Sequence, residues 1–205
     1  YPKILKQFTP FYSYISIKKA QKILVGPRFL EQINYCKTSS NYSYPLTMVK
    51  NKINIPLIAA GGIASGYGML AAMALGADGV QVGSRFAASF ESSAHENFKN
   101  KIIEAKEGGT QLTLKELAPV RLIKNKFYQD VQEAYANGAT FEDLKVLLGR
   151  ARAKRGMLEG DLEEGELEIG QIAGLIDEIK TAKEIIDDMI SEFRIAKIAI
   201  ENIEI

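Results

Sequence analysis

The stretch from Ile53 to Ala77 contains no charged residue, and it restricts the fold more than any other feature of the sequence. It is long enough to cross a membrane if it formed a single helix. However, it is interrupted by Pro56 and by five glycines, at positions 61, 62, 66, 68 and 76. Because such residues end strands and helices, we expect a soluble strand, turn and helix instead of a membrane span.

The charge-free stretch divides into two elements. Ile55–Ala60 is a continuous apolar run, as expected of a parallel strand that is covered on both faces. A Gly-Gly pair ends this run. Ser65 then predicts the cap of a helix over Tyr67–Leu75, and Gly76 stands where a left-handed residue commonly ends a helix.

A second unit of the same kind follows directly. Asp78–Gly83 has the pattern of another short strand that ends in glycine, and Ser84 begins a further helix. Strands joined through a helix form a parallel pair, because the crossover returns the chain to the same end of the sheet. The sequence therefore predicts a parallel sheet with two neighbouring strands that end in glycine.

The two strand ends have the composition of a phosphate-binding site. Gly61, Gly62, Gly83 and Ser84 precede helix N-termini, where backbone N–H groups converge and the helix dipole favours an anion. Glycine has no Cβ atom to obstruct the approach of the anion. In eight-stranded βα barrels, phosphate sites follow the last two strands. The alternative is that these glycines only make tight turns.

Several segments closely resemble the nitronate monooxygenase family, formerly called 2-nitropropane dioxygenases. Within the βα units they are IPLIAAGGIA (55–64), GMLAAMALGADGVQVGSRF (68–86) and ESSAH (91–95). Beyond these units they are LAPVRLIKN (117–125) and GMLEGDLEEGELEIGQIAGLI (156–176). Inosine-monophosphate dehydrogenases and other barrels have similar Gly-Gly strand ends, but the long combination is specific. The resemblance runs from about residue 37 to residue 192.

This resemblance implies a flavin-binding (β/α)8 TIM barrel and an enzyme. In the family, FMN and dioxygen oxidise alkyl nitronates to a carbonyl compound and nitrite, and FMN carries the redox chemistry. The residues that the resemblance assigns to the FMN phosphate are Gly61, Gly62, Gln81, Val82, Gly83 and Ser84. Gln171 either contacts the cofactor region or packs a helix against the barrel.

The histidine that acts as the family's base toward neutral nitroalkanes has no counterpart in this sequence. In the family it lies in a Gly-Gly-His-x-Gly loop on an upstream strand, and no such loop occurs here. His95 is the sole histidine, and its position after the last barrel strand does not correspond to that base. We interpret His95 as a helix-start residue that bonds locally. The sequence therefore assigns no catalytic residue.

The chain is also shorter than a complete barrel with added helices. It has 205 residues, whereas such a barrel needs about 250, and the pattern defines only two strands clearly. We therefore expect an incomplete barrel that retains carboxyl-terminal βα units and is followed by a helical segment. A truncated or rearranged gene product, or an incorrectly assigned reading frame, is the hypothesis that explains this.

Three regions follow from the pattern. Residues 1–37 are a basic, tyrosine-rich lead of unassigned fold, with short strands predicted at Ile15–Ile17 and Ile23–Val25. Residues 38–110 hold the carboxyl-terminal barrel units with the phosphate-binding turns, and residues 111–205 form the helical segment. Helices are predicted at Asn97–Lys106, Phe127–Ala136, Thr140–Leu148, Ile169–Lys180 and Ala182–Ile195.

Composition argues against several classes of partner and site. The net charge of +1 gives no general attraction to nucleic acid or to a membrane surface, and the basic, aromatic lead carries no recognised nucleic-acid motif. A single cysteine and an amino terminus without an apolar signal segment favour the cytoplasm. The acidic run Glu159–Glu168 lacks a histidine, so we interpret it as a solvated loop and predict no metal.

Two alternatives to nitronate oxidation stay open. A flavin-dependent enoyl-ACP reductase has a similar phosphate turn and a similar helical tail. A non-catalytic fragment that binds a partner is the other, because two βα units leave apolar sheet edges to be covered. The sequence also leaves a homo-oligomer open.

Overall fold

The computed structural model of the chain describes residues 23–25 and 43–204. Its strands are β1 Ile23–Val25, β2 Leu57–Ala60, β3 Gly79–Gln81, β4 Thr110–Thr113 and β5 Val120–Ile123. Its helices are α1 Ser43–Lys50, α2 Gly66–Ala74, α3 Ser84–Ala87, α4 Glu96–Glu104, α5 Lys126–Ala136, α6 Phe141–Leu148, α7 Arg152–Met157 and α8 Ala182–Glu201. A 3₁₀ helix, Gln171–Leu175, precedes α8.

The first three strands form the predicted parallel sheet. β2 lies in the middle and pairs with β1 on one side and with β3 on the other, with Ala60 opposite Gln81. The strand predicted at Ile23–Val25 is thus confirmed, whereas Ile15–Ile17 lies outside the described residues. Within the described part of the chain this sheet has three strands and does not close. That arrangement confirms the prediction of an incomplete barrel.

Asp78 bonds the start of β3 to the start of β2. Its Oδ2 accepts hydrogen bonds from the Leu57 N–H and from the Lys50 ammonium, each at 2.8 Å. The Asp78 N–H in turn donates to the Leu57 carbonyl at 2.7 Å. The Leu57 amide and Lys50 hold the pKa of Asp78 below its ordinary value, since both favour the carboxylate. These bonds fix the register of the two strands and therefore decide which residues meet at their carboxyl ends.

Helix α2 packs against α8. Its N-terminus is capped as predicted, because the Ser65 hydroxyl accepts a hydrogen bond from the Gly68 N–H at 3.1 Å. Gly66 lies so close to α8 that a Cβ atom there would overlap the backbone of Met189 and Phe193. The buried core between the sheet and these helices includes Leu46, Leu57, Ala59, Ile63, Ala72, Ala77, Ile185 and Met189.

The carboxyl half contains strands that the sequence pattern does not identify. β4 and β5 pair as an antiparallel hairpin, from Thr110 opposite Ile123 to Thr113 opposite Val120. The prediction of a purely helical segment over residues 111–205 is therefore wrong in this part. Each strand has only four residues, which is too short for an alternating pattern to distinguish a strand from a helical turn.

The helix predicted over Ile169–Lys180 is also wrong. Residues 167–169 run beside β5 instead, since the Ile123 N–H donates to the Leu167 carbonyl at 3.0 Å and the Ile169 N–H donates to the Arg121 carbonyl at 3.1 Å. Only the short 3₁₀ helix follows. Pairing with β5 satisfies backbone groups that a helix would have used, and two glycines in the segment weaken the helical alternative.

The remaining predicted helices are confirmed as α4, α5, α6 and α8, although α8 extends to Glu201. The sequence pattern did not identify α7. Asn125 caps α5, and Thr140 and Thr181 begin capping boxes at α6 and α8. In the described residues, no helix has the length and apolar content needed to cross a membrane.

Candidate functional site

The predicted site residues lie at one edge of the parallel sheet. Ala60 is the last residue of β2 and stands opposite Gln81, the last residue of β3. The chain therefore leaves both strands at the same level, into Gly61-Gly62 on one side and Val82-Gly83 on the other. The register alone brings the two predicted turns side by side at the carboxyl edge, where parallel α/β sheets bind ligands.

Gly61 and Gly62 have the backbone that only glycine adopts at low cost. Their φ angles are +94° and +67°, both in the left-handed region. Both residues are exposed, and neither has a side chain to cover the backbone amides. Gly83 differs, since its φ of −110° is open to any residue. The backbone conformation at Gly83 therefore does not by itself require glycine.

The N-termini of α2 and α3 offer less to an external anion than the sequence predicted. At α2, the Gly66 N–H donates to Oε2 of Glu192 at 2.6 Å, so a carboxylate of the protein already faces the positive end of the helix. Helix α3 has only four residues, so few peptide dipoles are aligned. The prediction that both helix dipoles favour an external anion does not hold for α2. What is left as the candidate for anion binding is the backbone of the two turns, which is exposed at Gly61-Gly62 and half-buried from Gln81 to Ser84.

Ser84 connects the second turn to the carboxyl-terminal segment. Its Oγ accepts a hydrogen bond from the Gly170 N–H at 3.3 Å, and a Cβ atom on Gly170 would lie 2.9 Å from the same oxygen. Gln171, the residue predicted from the sequence, is exposed at the start of the 3₁₀ helix, whereas its neighbour Gly170 makes the contact with Ser84. The only signal for Gly170 was its place beside Gln171 in the family-like segment.

A cavity of about 400 Å³ adjoins this edge, between the start of α2, helix α3 and α8. Two cations, Arg85 and Lys180, line it together with four carboxylates, those of Asp177, Glu178, Asp188 and Glu192. Both cations are already paired with Asp188, at 3.6 Å from Arg85 and 2.9 Å from Lys180. With an excess of negative charge and its cations engaged, the cavity is a poor place for a phosphate.

His95 has a structural role, as the sequence interpretation stated. It caps helix α4, with its Nδ1 accepting a hydrogen bond from the Asn97 N–H at 3.1 Å. Its backbone N–H donates to the Met157 carbonyl at 2.8 Å. The ring lies directly on Gly160, where a Cβ atom would overlap it. His95 therefore joins α4 to the loop after α7.

The acidic run is only partly a solvated loop. Glu166 and Leu167 are buried, with exposed fractions of 6% and 0%. Burial raises the pKa of Glu166 to about 7, and the nearby Glu168 acts in the same direction. Glu163 and Glu159 are exposed, as predicted. In the part of the chain that the structure describes, no three His, Cys, Asp or Glu side chains are grouped to hold a metal ion.

Comparison with known proteins supports the resemblance to the nitronate monooxygenase family. The profile of the family described as nitronate monooxygenase matches residues 41–192. A probable nitronate monooxygenase of Staphylococcus saprophyticus is 36% identical over 127 residues, which cover 62% of this chain and 36% of that protein. One from Bacillus subtilis is 34% identical over 142 residues, covering 68% and 40%. The chain thus spans well under half the length of these relatives.

Solved structures agree in fold. FabK from Thermotoga maritima superposes with a TM-score of 0.71 and 41% identity, over 80% of this chain and 52% of that one. A nitroalkane oxidase from Streptomyces ansochromogenes superposes with a TM-score of 0.62 and 26% identity, over 81% and 49%. The described sheet and helices correspond to part of these TIM-barrel structures. The chain belongs to the nitronate monooxygenase family.

Proposed function

We propose that this chain provides the FMN-phosphate-binding portion of an oxidoreductase of nitronate monooxygenase type. The observation that carries the proposal is the pair of turns, Gly61-Gly62 and Gln81 to Ser84, at one edge of two parallel strands in fixed register. When bound, FMN supplies the redox chemistry by which alkyl nitronates and dioxygen give a carbonyl compound and nitrite.

The residues of the chain fit the phosphate through their backbone. The two exposed left-handed glycines carry no Cβ atom that would keep a phosphate from approaching their backbone. Val82 and Gly83 follow the end of β3, which lies opposite the end of β2, and the hydroxyl of Ser84 adds a side-chain donor. We therefore expect neutral backbone and hydroxyl donors to bind the phosphate. The two cations that line the adjoining cavity, Arg85 and Lys180, are already paired with Asp188.

The substrate class we propose is the alkyl nitronate. The proposal rests on membership of the nitronate monooxygenase family. His95 caps α4 and lies against Gly160, so we assign it no part in the reaction.

A flavin-dependent enoyl-ACP reductase is the second candidate function. The observation in its favour is that this chain is 41% identical to FabK but 26% identical to the nitroalkane oxidase. The phosphate turns would serve either reaction equally, since they hold the cofactor and not the substrate. Nitrite release from propyl nitronate and oxygen, against NAD(P)H consumption with an enoyl thioester, separates the two functions.

The proposal is tested by flavin retention. We expect the chain, purified with excess FMN and desalted, to keep about one FMN per chain, as measured by its visible absorption. Gly62→Ala should lose the flavin, because alanine adds a methyl group to the turn and is strained at the positive φ of this position. Gly108→Ala is the matched control, since Gly108 has a similar φ of +72° and open space around it, and it should retain FMN.

The result that would contradict the proposal is a folded, colourless wild-type chain. That outcome would favour the non-catalytic fragment. If the Gly62 and Gly108 variants retain equal amounts of FMN, the flavin does not bind at the Gly61-Gly62 turn.

A further inference from the structure

We propose that Gly170 is a positioning residue for the FMN phosphate, acting through Ser84. Its N–H donates to the Ser84 Oγ and thereby directs the hydroxyl proton of Ser84 toward the bound anion. The inference rests on the proposed function, because the anion in question is the phosphate of the flavin. It assigns a role in cofactor binding to the carboxyl-terminal segment, which lies far from the glycine turns in sequence.

A serine hydroxyl can donate and accept hydrogen bonds at the same time. This group has one proton to donate and two lone pairs that accept. A phosphate oxygen without a proton can only accept. When the Gly170 N–H occupies a lone pair of Ser84, the single proton of Ser84 remains for another acceptor, and the hydroxyl is held as the donor that a phosphate requires.

The Gly170 N–H is itself held firmly in place. The residue before it, Ile169, donates its N–H to the Arg121 carbonyl on β5 at 3.1 Å. The carbonyl of Gly170 accepts from the Ala173 N–H at 3.0 Å, which begins the 3₁₀ helix. Ala173 is fully buried and Ile169 nearly so. The packed core of the carboxyl half therefore sets the position from which Gly170 approaches Ser84.

Glycine is required at this position by space and not by backbone conformation. Gly170 has φ −69° and ψ 154°, which any residue adopts readily. A Cβ atom there would lie 2.9 Å from the Ser84 Oγ, closer than an unbonded carbon and oxygen approach. Gly170→Ala should therefore displace the hydroxyl of Ser84 without straining the backbone of the segment.

The test compares FMN affinity among variants of the chain, measured by titration of flavin fluorescence. Ser84→Ala should weaken FMN binding about tenfold, as expected for loss of a hydrogen bond to a charged group. Ser84→Thr keeps the hydroxyl and should bind nearly as wild type. Gly170→Ala should weaken binding about fivefold, and adding it to Ser84→Ala should cost nothing further, because both act through one hydroxyl.

Gly174→Ala is the control for a general effect of adding a methyl group to this segment. Its nearest contacts would be ordinary ones, at 3.4 Å from the backbone of Lys106 and Glu107, and its FMN affinity should be unchanged. Wild-type affinity in Gly170→Ala, or additive losses in the double variant, would overturn the inference while leaving the proposed function standing. A wild-type chain that binds no FMN would overturn both.

A second measurement does not depend on the folding of Gly170→Ala. In ¹⁵N NMR spectra, the Gly170 amide signal of the wild-type chain should shift when FMN is added, and the shift should be absent in Ser84→Ala. The inference would be overturned if the wild-type chain binds FMN and the chemical shift of the Gly170 amide does not change.

Discussion

The glycines of the βα edge and those of the carboxyl-terminal loop differ in what surrounds them. Gly61 and Gly62 are exposed and left-handed at the end of a strand. Gly156 and Gly165 are buried and face each other, so that a Cβ atom on Gly165 would overlap the backbone of Gly156. The same residue type thus leaves an exposed backbone in one region and permits a close contact of the chain with itself in the other.

This difference shows which glycines in the sequence carry functional information. A glycine after an apolar strand leaves an open surface, whereas a glycine within a loop most often permits two segments to touch. Gly160 belongs to the second group, since it lies under the ring of His95. The family resemblance includes the glycines of the strand ends and those of the carboxyl-terminal loop alike. Only the surroundings of each glycine distinguish a proposed binding residue from a packing residue.

The largest effect should follow from filling the contact between the two buried glycines. Gly165→Ala places a Cβ atom against the backbone of Gly156 and Asp161, which cannot move as a side-chain tip can. We expect a loss of about 3 kcal/mol or more in the free energy of unfolding, measured by urea denaturation. Gly138→Ala, exposed with a φ of +73° and no neighbour within 4 Å, should cost only about 1 kcal/mol.

An equal loss of stability in the Gly165 and Gly138 variants would show that the carboxyl-terminal contact is not tightly packed. In that case the comparison between the two regions would fail.

A second effect concerns the pH dependence of the carboxyl-terminal loop. The pKa of Glu166 is raised to about 7 from 4.5 by burial. The folded chain therefore binds this proton more tightly than the unfolded chain, and stability should fall as the pH rises from about 4.5 to about 7. The full shift corresponds to about 3 kcal/mol.

Glu166→Gln should remove this dependence and make the chain more stable than wild type at pH 8, as measured by thermal unfolding across the pH range. Glu163→Gln is the control, because Glu163 is an exposed carboxylate of the same loop. If both variants follow the wild-type profile, Glu166 does not control the stability of the loop.

The smallest effect separates the helix N-terminus from the glycine turns. Glu192→Gln keeps the shape of the side chain but removes the charge that faces the Gly66 N–H. We expect a loss of about 1 kcal/mol in the free energy of unfolding, from the weaker interaction with the N-terminus of α2. FMN retention should be unchanged, because the proposed phosphate contacts are Gly61-Gly62 and residues 81–84 and do not include the Gly66 N–H.

Improved FMN binding in the Glu192 variant would show that the carboxylate competes with the phosphate for the same site. The helix N-terminus would then belong to the binding site after all.

Much of the βα region could be predicted from local sequence. Pro56 precedes β2, Ser65 caps α2, and Gly76 has a φ of +102° just after the helix, because each of these residues acts through its own backbone or nearest neighbours. The predicted turns also lie at the carboxyl edge of the sheet. This followed from the requirement that two strands joined by a helix run parallel.

The errors arose where distant segments compete for backbone groups. The helix predicted over Ile169–Lys180 has suitable spacing, but the Arg121 carbonyl accepts from Ile169 and draws the segment beside β5. The strands of the hairpin are stabilised by each other, so neither carries a strong signal by itself. Burial of Glu166 was missed for the same reason, since its surroundings come from the folded loop.

The sequence by itself determined the parallel βα units, the glycine-terminated strand ends, the Ser65 cap of α2 and the family, because these depend on residues that are close along the chain or on a long specific pattern. Tertiary structure alone decided that Glu192 occupies the N-terminus of α2, that Gly170 reaches Ser84, and that Arg85 is paired with Asp188. Each of these contacts joins residues roughly a hundred positions apart. No local pattern specifies such pairs, because they form only when the whole chain packs.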